Sequence, residues 1–290
     1  MKSILSYPDR GKWGNSQYRG NCSGYVIKDL LQFYFPNHPP KQFIEVFSGG
    51  GTGQAVAKDL GITNSIHLDL RNGWNALVDE LPKGSDFTFS HPPYWDIIKY
   101  ETQRGSFHED DLSNQMDYET FIFQLDKVNE KIYHNLFNGG RHALLIGDIR
   151  KKGKYYSIIK DMSWFGDLES HLIKMQHNTK CENKQYAHSQ FIPIAHEHLL
   201  VFKKNQIWQL NIKYTKEFEK DIRTLKRITW KDLIKATLEY KEKASIQEIY
   251  EYLYQSEKAK ANQHVRAKIR QVLNSYPDFQ RQGDYWYMRL

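Results

Sequence analysis

The chain has 290 residues, 40% of them hydrophobic, with 7 Trp, 19 Tyr and 15 Phe; that suffices for one α/β domain of ordinary size and a small second module. A formal net charge of +7 is compatible with a polyanionic partner and does not require one. The 2 cysteines, Cys22 and Cys181, form no paired metal spacing and cannot staple a chain this long, so free buried thiols are expected. The N-terminus lacks an apolar leader region and no apolar run reaches roughly 18 residues, so no membrane span is expected and the cytoplasm is the expected location.

In chain order, residues 1–24 are polar, aromatic and dotted with glycine, and read as an extended arm. Val26, Ile27, Leu30, Leu31 and Tyr34 recur at helical spacing, and Pro36 with Pro39-Pro40 ends that helix. Phe43 to Phe47 predicts a short apolar strand, Gly49 to Gly53 a turn, and Gln54 to Leu60 a helix closed by Gly61. Ile66 to Leu70 predicts a second strand, and Phe87 to Phe89 the core of a third that runs into Pro92-Pro93. Glu101 to Asp117 is polar and acidic and reads as a mobile loop. Tyr118 to Phe137 predicts a helix stopped by Gly139-Gly140, His142 to Gly147 a strand, and Tyr155 to Phe165 a helix. Leu172 to Gln176 and Ala195 to Phe202 predict strands, antiparallel because no long helix separates them. This alternation predicts an α/β layered sheet with helices on both faces.

Composition shifts after Lys203, and from Lys216 the chain is rich in Lys, Glu and Tyr. Ile228 to Tyr240, Ser245 to Gln255 and Asn262 to Asn274 predict helices, with Ser245 and Glu248 as a capping box. Phe279 to Met288 predicts a hairpin around Gly283-Asp284. Three helices followed by a hairpin outline a winged helix. There is no long internal repeat.

Two segments carry chemistry. The run Phe43 to Gly53 ends a strand in a glycine turn, where a nucleotide-like ligand can approach the backbone because no Cβ intervenes. In α/β sheets such ligands sit beyond the carboxyl ends of the strands. Glu45 or Ser48 can reach a polar end of such a ligand, and Asp69, about twenty residues on, suits ribose hydroxyls. The spacing is shared with the dinucleotide fingerprint, and a tight turn without a ligand is the alternative. The second segment is Ser90-His91-Pro92-Pro93-Tyr94-Trp95. An exocyclic amino nitrogen is a poor nucleophile because its lone pair is delocalised into the ring. Acceptors aimed at its two hydrogens favour transfer, and their preorganisation is the catalysis. The Pro92 carbonyl and the His91 side chain are the candidate acceptors, Tyr94 the stacking ring, and Trp95 a second wall. A rigid Pro-Pro loop with a packed tyrosine is the alternative.

Other clusters point to no metal. His196-Glu197-His198 places two histidines on one strand face with no third ligand, and Glu109-Asp110-Asp111 lacks the calcium-loop spacing. A hydrolase elbow and a phosphate-binding loop are absent.

Taken together, the two segments resemble the amino-group DNA methyltransferases that modify N6 of adenine or N4 of cytosine. Glu45-Val46-Phe47-Ser48-Gly49-Gly50-Gly51-Thr52 is similar to that family's cofactor motif, and His91-Pro92-Pro93-Tyr94 to its catalytic motif. Tyr18 to Gly24 is similar to its N-terminal motif, and Gly140 to Arg150 and Glu197 to Lys203 to later sheet motifs. The order of motifs is gamma-like. The resemblance implies an α/β, Rossmann-like S-adenosylmethionine-dependent sheet over 1–210, with S-adenosyl-L-methionine bound by Asn21, Ser23, Glu45, Phe47, Ser48, Gly49, Gly51, Thr52, Asp69 and Leu70. It implies catalysis by His91, Pro92, Pro93 and Tyr94 on a flipped base, adenine slightly ahead of cytosine. The family's acidic or amide residue before Pro-Pro is His91 here, and its Asp is Glu45. A neutral imidazole has one ring acceptor, so activity is expected to fall as pH drops through the His91 pKa, about 6.5 if unperturbed. Residues 220–290 resemble a HARE-type winged helix and imply a mainly α DNA-contacting domain. Arg266, Arg270 and Arg281 are its candidate DNA contacts, with Lys151 and Lys152 in the first domain. Double-stranded DNA is the implied partner, alone or beside a cognate restriction endonuclease. Methylation of RNA or of a protein glutamine is a second reading, and a non-catalytic DNA-binding protein on a decayed methyltransferase fold a third.

Overall fold

Short apolar runs buried on both faces build the centre of the main sheet. In the computed structural model, which describes residues 1–82, 84–177, 192–205 and 228–289, every residue of β2 (Phe43–Val46) is buried. Cys181 and the Lys-, Glu- and Tyr-rich stretch 216–227 lie outside the described residues. The chain divides into two units, Met1–Leu210 and Asn211–Leu290.

The larger unit runs β1 (Ile4–Leu5), α1 (Gly24–Tyr34), β2, α2 (Thr52–Asp59), β3 (Ser65–Leu68), β4 (Ser85–Ser90), α3 (Glu101–Arg104), α4 (Tyr118–Asn135) and β5 (Leu136–Ile146). It continues with β6 (Ile149–Lys151), β7 (Lys154–Tyr156), α5 (Ile158–Asp161), β8 (Asp167–Met175) and β9 (His196–Lys203). Among the described residues the sheet has seven strands in the order β1-β8-β9-β5-β4-β2-β3. Strand β9 is antiparallel to both β5 and β8, and the other pairings are parallel. This is a Rossmann-like α/β sheet.

Side-chain alternation splits the core in two. Phe43, Phe87, Phe89, Ala143, Leu145, Leu199 and Val201 pack toward α1 and α2, against Ile27, Leu30, Leu31 and Val56. On the other face Leu144, Ile146, Leu200 and Phe202 meet Phe121 and Leu125 of α4, while Ile44 and Val46 meet Val128 and Ile132.

Four expectations change. The N-terminal arm is docked: β1 pairs with β8, and Leu5 and Trp13 are buried. The acidic stretch 101–117 is folded, with Asp111, Leu112 and Ser113 buried and Arg104 bonded to Asp111 at 2.7 Å. Gly139-Gly140 does not end a helix. Helix α4 stops at Asn135 and both glycines lie in β5, where a Cβ on Gly140 would come within 2.8 Å of the Ser85 carbonyl. The helix expected over 155–165 shrinks to α5, because the β6–β7 hairpin uses the start of that segment.

The smaller unit contains α6 (Trp230–Lys241), β10 (Ala244–Ser245), α7 (Ile246–Leu253), α8 (Glu257–Lys260), α9 (Val265–Ser275), β11 (Phe279–Gln282) and β12 (Tyr285–Met288). Its strands form an antiparallel sheet in the order β10-β12-β11. Leu233, Ile234, Ile249, Leu253, Ile269, Leu273 and Trp286 share one core. Both α6 and α7 begin with a complete capping box, Thr229 with Asp232 and Ser245 with Glu248.

Phe87 is fully buried, with ring centroids 6.0–6.1 Å from Tyr34, Phe35 and Phe43. We expect Phe87→Ala to lower the stability of the larger unit by about 3–5 kcal/mol, read by urea unfolding.

Candidate active site

Strands β2 and β4 run parallel, with Val46 opposite Ser90, so the segments that follow them leave the sheet side by side. After β2 the chain turns sharply: Phe47 takes φ 66°, Gly49 φ 46° and Gly51 φ 77°. A Cβ on Gly49 would lie 2.7 Å from the Tyr18 ring, so this turn admits only glycine there. Holding Phe47 in the left-handed region costs about 1–3 kcal/mol, a strain typical of residues at a binding turn.

Two carboxylates brace the turn. Glu45 is buried; its Oε1 accepts from the Gly53 N–H at 3.1 Å and its Oε2 meets His67 Nδ1 at 2.7 Å. Burial raises its pKa, and the hydrogen bond from His67 opposes that rise. Glu45 thus ties the start of α2 to β3. Asp69, at the end of β3, accepts from the Gly49 N–H (2.9 Å) and the Arg71 N–H (2.8 Å).

Beyond the carboxyl ends of β2, β3 and β4 lies a cavity. The chain steps from β2 to β3 on one side and then to β4 on the other, so this is the point where strand order reverses, the usual ligand crevice of open α/β sheets. Asn21, Glu45, Phe47, Ser48, Gly49, Thr52, Asp69 and Leu70 all line it. Of the expected cofactor residues, Gly51 does not: it caps α2 from outside. Ser23 lines a second, neighbouring cavity. Tyr18, the first residue of the expected N-terminal motif, lines it stacked on Tyr100 (5.8 Å), and Arg71, Trp74 and Phe89 complete the wall with Arg104 and Asp110 from the folded acidic stretch.

The segment after β4 borders both cavities, which also share Gly20, Asn21 and Tyr100. His91 lines both, Pro93 the first, and Pro92 and Tyr94 the second. Its base is pinned by a buried hydrogen bond between Ser90 Oγ and His142 Nε2 (2.7 Å). Its end is pinned by Trp95, and here the sequence expectation is corrected. Trp95 lines neither cavity. Its ring is 7% exposed, packs edge-on against Tyr118 (5.4 Å) and Tyr156 (5.2 Å), and donates from Nε1 to the Met116 carbonyl (2.9 Å). It anchors the loop, from a backbone φ of 53°. Tyr94 lies against Gly147, where a Cβ would come within 2.7 Å of its ring. The Pro92 carbonyl accepts no hydrogen bond from the described residues.

Behind this loop stands a polar chain with no sequence signal. Lys174 on β8 and Glu197 on β9 are cross-strand partners, with Lys174 Nζ 2.6 Å from Glu197 Oε2. Tyr94 Oη donates to Glu197 Oε1 at 2.7 Å and lies 2.8 Å from His91 Nε2. Burial alone would raise the Glu197 pKa, and the Lys174 ammonium brings it below the usual carboxylate range. Burial, with Glu197 beside it, pushes the Tyr94 phenol far up, so it keeps its proton. Burial lowers the His91 pKa to about 4. His91 is therefore neutral at pH 7, and an unperturbed value near 6.5 does not apply. The alternation of His196, Glu197 and His198 was visible in the sequence; that Glu197 would meet a tyrosine 103 residues earlier was not. No group of three metal-ligating side chains forms among the described residues.

The basic candidates diverge. Lys151 is half-buried in the larger unit, 2.5 Å from Asp96 and 3.8 Å over the Trp95 ring, so it is ion-paired rather than free. Lys152 is exposed at the hairpin turn. In the smaller unit Arg266 and Arg270 are exposed one turn apart on α9, Arg266 over the Tyr250 ring (4.6 Å). Arg281 is exposed on the hairpin and bonded to the Gly283 carbonyl (2.7 Å). No helix among the described residues is long and apolar enough to cross a membrane.

No protein-family model and no curated protein sequence matches this chain. Among solved structures it is similar to one assigned as a DNA modification methylase from Thermus thermophilus, complexed with S-adenosyl-L-methionine. That similarity has 18% identity and a TM-score of 0.31 over 59% of each chain. TrmN from Thermus thermophilus is similar at 14% identity and TM-score 0.34, over 64% of this chain and 50% of that one. The N-methyltransferase NodS from Bradyrhizobium japonicum, in complex with S-adenosyl-L-homocysteine, is similar at 9% identity and TM-score 0.38, over 66% of this chain and 90% of that one. The chain thus spans 59% of the length of the first and 50% of the second. The likeness is one of fold, and the roles of the residues rest on the geometry above.

Two outcomes follow from that geometry. In an NMR titration His91 should take up its proton near pH 4, and His142, buried with Ser90, near pH 3. Gly147→Ala should displace the Tyr94 ring and spoil the second cavity while leaving ligand binding in the first within about twofold, read by calorimetry and a crystal structure.

Proposed function

We propose that this chain transfers a methyl group from S-adenosyl-L-methionine to the exocyclic amino group of a base flipped out of double-stranded DNA, N6 of adenine or N4 of cytosine. The observation that carries the reading is the His91–Tyr94 loop at the junction of two adjoining cavities, one under the glycine turn and one beside the Pro-Pro turn. A donor in one and an amine in the other can meet beside His91, where the N–C bond would form as the S–C bond of the donor breaks, leaving S-adenosyl-L-homocysteine.

The residues of the first cavity fit the donor. Asp69 has both carboxylate oxygens engaged by N–H groups and a second lone pair on each for ribose hydroxyls. Phe47, Leu70, Trp74 and Phe89 offer apolar surface for a purine, and Asn21 and Ser48 polar atoms for an amino-acid end. The carboxylates of Glu45, Asp69, Asp110 and Asp111 outnumber Arg71 and Arg104 in the lining, which suits a sulfonium cation. S-adenosyl-L-methionine, when bound, supplies an electrophilic methyl group. The chain supplies acceptors: neutral His91 and the Pro92 carbonyl hold the two amino hydrogens and favour the tetrahedral nitrogen that transfer requires. His91 loses its acceptor on protonation, so transfer falls as pH drops through about 4, well below the ordinary imidazole range.

DNA as the substrate is supported by the smaller unit, whose helices and closing hairpin have the outline of a winged helix, with Arg266, Arg270 and Arg281 exposed. Lys152 is the basic contact offered by the larger unit. A cognate endonuclease that cuts the unmodified sequence is a partner consistent with such an activity.

The test is expression in a host free of DNA methylation, followed by single-molecule sequencing of its genome. N6-methyladenine or N4-methylcytosine in a fixed sequence context is expected. Transfer of labelled methyl to RNA or protein instead, by a protein that binds the donor, sinks the DNA reading. Asp69→Asn should weaken donor binding about 10-fold, near the worth of one charge-assisted hydrogen bond, measured by calorimetry.

A further inference from the structure

We propose that Glu197 and Lys174 are positioning residues: acting through the Tyr94 hydroxyl, they fix the ring tautomer of His91 so that Nδ1 is left to accept from the substrate amine. The proposal rests on the reading of His91 as an acceptor and goes beyond it by naming the atom and what selects it.

The Tyr94 hydroxyl has one hydrogen and two close neighbours, Glu197 Oε1 at 2.7 Å and His91 Nε2 at 2.8 Å. Glu197 is held ionised by Lys174 Nζ, 2.6 Å from its other oxygen. A carboxylate only accepts, so the phenol hydrogen goes to Glu197. The remaining 2.8 Å contact is then attractive only if His91 Nε2 carries a hydrogen and donates it to the phenol oxygen. With the other tautomer, two lone pairs would face each other at that distance. A neutral imidazole has one N–H, so Nδ1 is bare. Nδ1 has no hydrogen-bond partner among the described residues, and Glu197 is 3.9 Å from Nε2, too far to bond it directly.

Direction of donation therefore runs one way, from His91 to Tyr94 to Glu197, with Lys174 setting the charge at the far end. Cross-strand pairing of Lys174 with Glu197 places that end on the sheet itself. The reversed tautomer would present an N–H to an amine that is itself a donor. That explains how a histidine can stand where a carboxylate would accept without any such selection.

The test uses the full chain labelled with 15N-histidine, with the His91 signals assigned by their loss in His91→Gln. Long-range 15N–1H spectra at pH 7 should show the Nε2–H tautomer. In Glu197→Gln, Lys174 holds the amide oxygen and the amide N–H turns to the phenol. The phenol hydrogen then turns to Nε2, and His91 is expected to switch to Nδ1–H. Tyr94→Phe keeps the ring, loses the lock and should show both tautomers. Each variant should bind S-adenosyl-L-methionine as the wild type does by calorimetry, while kcat falls on the order of 100-fold with the donor KM unchanged. A wild-type Nδ1–H signal, or a folded Glu197→Gln or Tyr94→Phe protein that keeps a pure Nε2–H signal, overturns the proposal. A wild type that shows Nε2–H yet methylates no amine instead overturns the functional reading and leaves the tautomer assignment standing.

Discussion

The parallel register of β2 and β4 is the constraint on which the site depends. With Val46 opposite Ser90, the glycine turn and the Pro-Pro loop leave adjacent strands at the same level. A slip of one residue would exchange the two faces of β4, sending Phe87 and Phe89 away from α1 and Thr88 and Ser90 toward it. The alternation of Phe87 and Phe89 with Thr88 and Ser90 opposes that slip, so the packing of the core also sets the spacing of the two cavities. The reversal of strand order at β2 opens the crevice between them.

Around that crevice the fold buries polar groups in pairs. Glu45 is answered by His67 and the Gly53 N–H, Ser90 by His142, and Glu197 by Lys174 and Tyr94. Burying an ion pair such as Lys174–Glu197 adds little net stability, because desolvation offsets the attraction. What it supplies is direction, since each donor and acceptor in a satisfied network has one arrangement available. The lowered pKa of His91 has the same origin, an imidazole kept from water and therefore neutral.

Both ends of the site are held in strained backbone. Phe47 opens the glycine turn and Trp95 closes the Pro-Pro loop, each in the left-handed region that non-glycine residues avoid. Packing offsets the strain: Trp95 is locked by Tyr118, Tyr156, Lys151 and the Met116 carbonyl. The aromatic residue that reads as a second pocket wall is in fact the loop's anchor. A side chain that follows a turn points wherever the turn's φ sends it, and a left-handed φ at Trp95 sends it into the core.

Local pattern was enough for much of this. Short apolar runs marked β2, β4 and β9, the spacing of Val26 to Tyr34 marked α1, and Ser245 with Glu248 marked the start of α7, because each signal acts between residues a few positions apart. The glycine turn and His91-Pro92-Pro93-Tyr94 were visible for the same reason. Gly139-Gly140 misled, since a glycine pair that ends a helix and one that lets two strands close up look alike in sequence. The sequence by itself determined the class of sheet, the two turns that follow β2 and β4, and a distinct C-terminal unit. Only the tertiary structure decided that the acidic stretch folds into the cavity wall, that Trp95 turns inward, and that Lys174 and Glu197 stand behind Tyr94. Those contacts join residues as many as 103 positions apart, and a hydrogen bond or a ring contact across such a gap exists only once the sheet has brought the strands together.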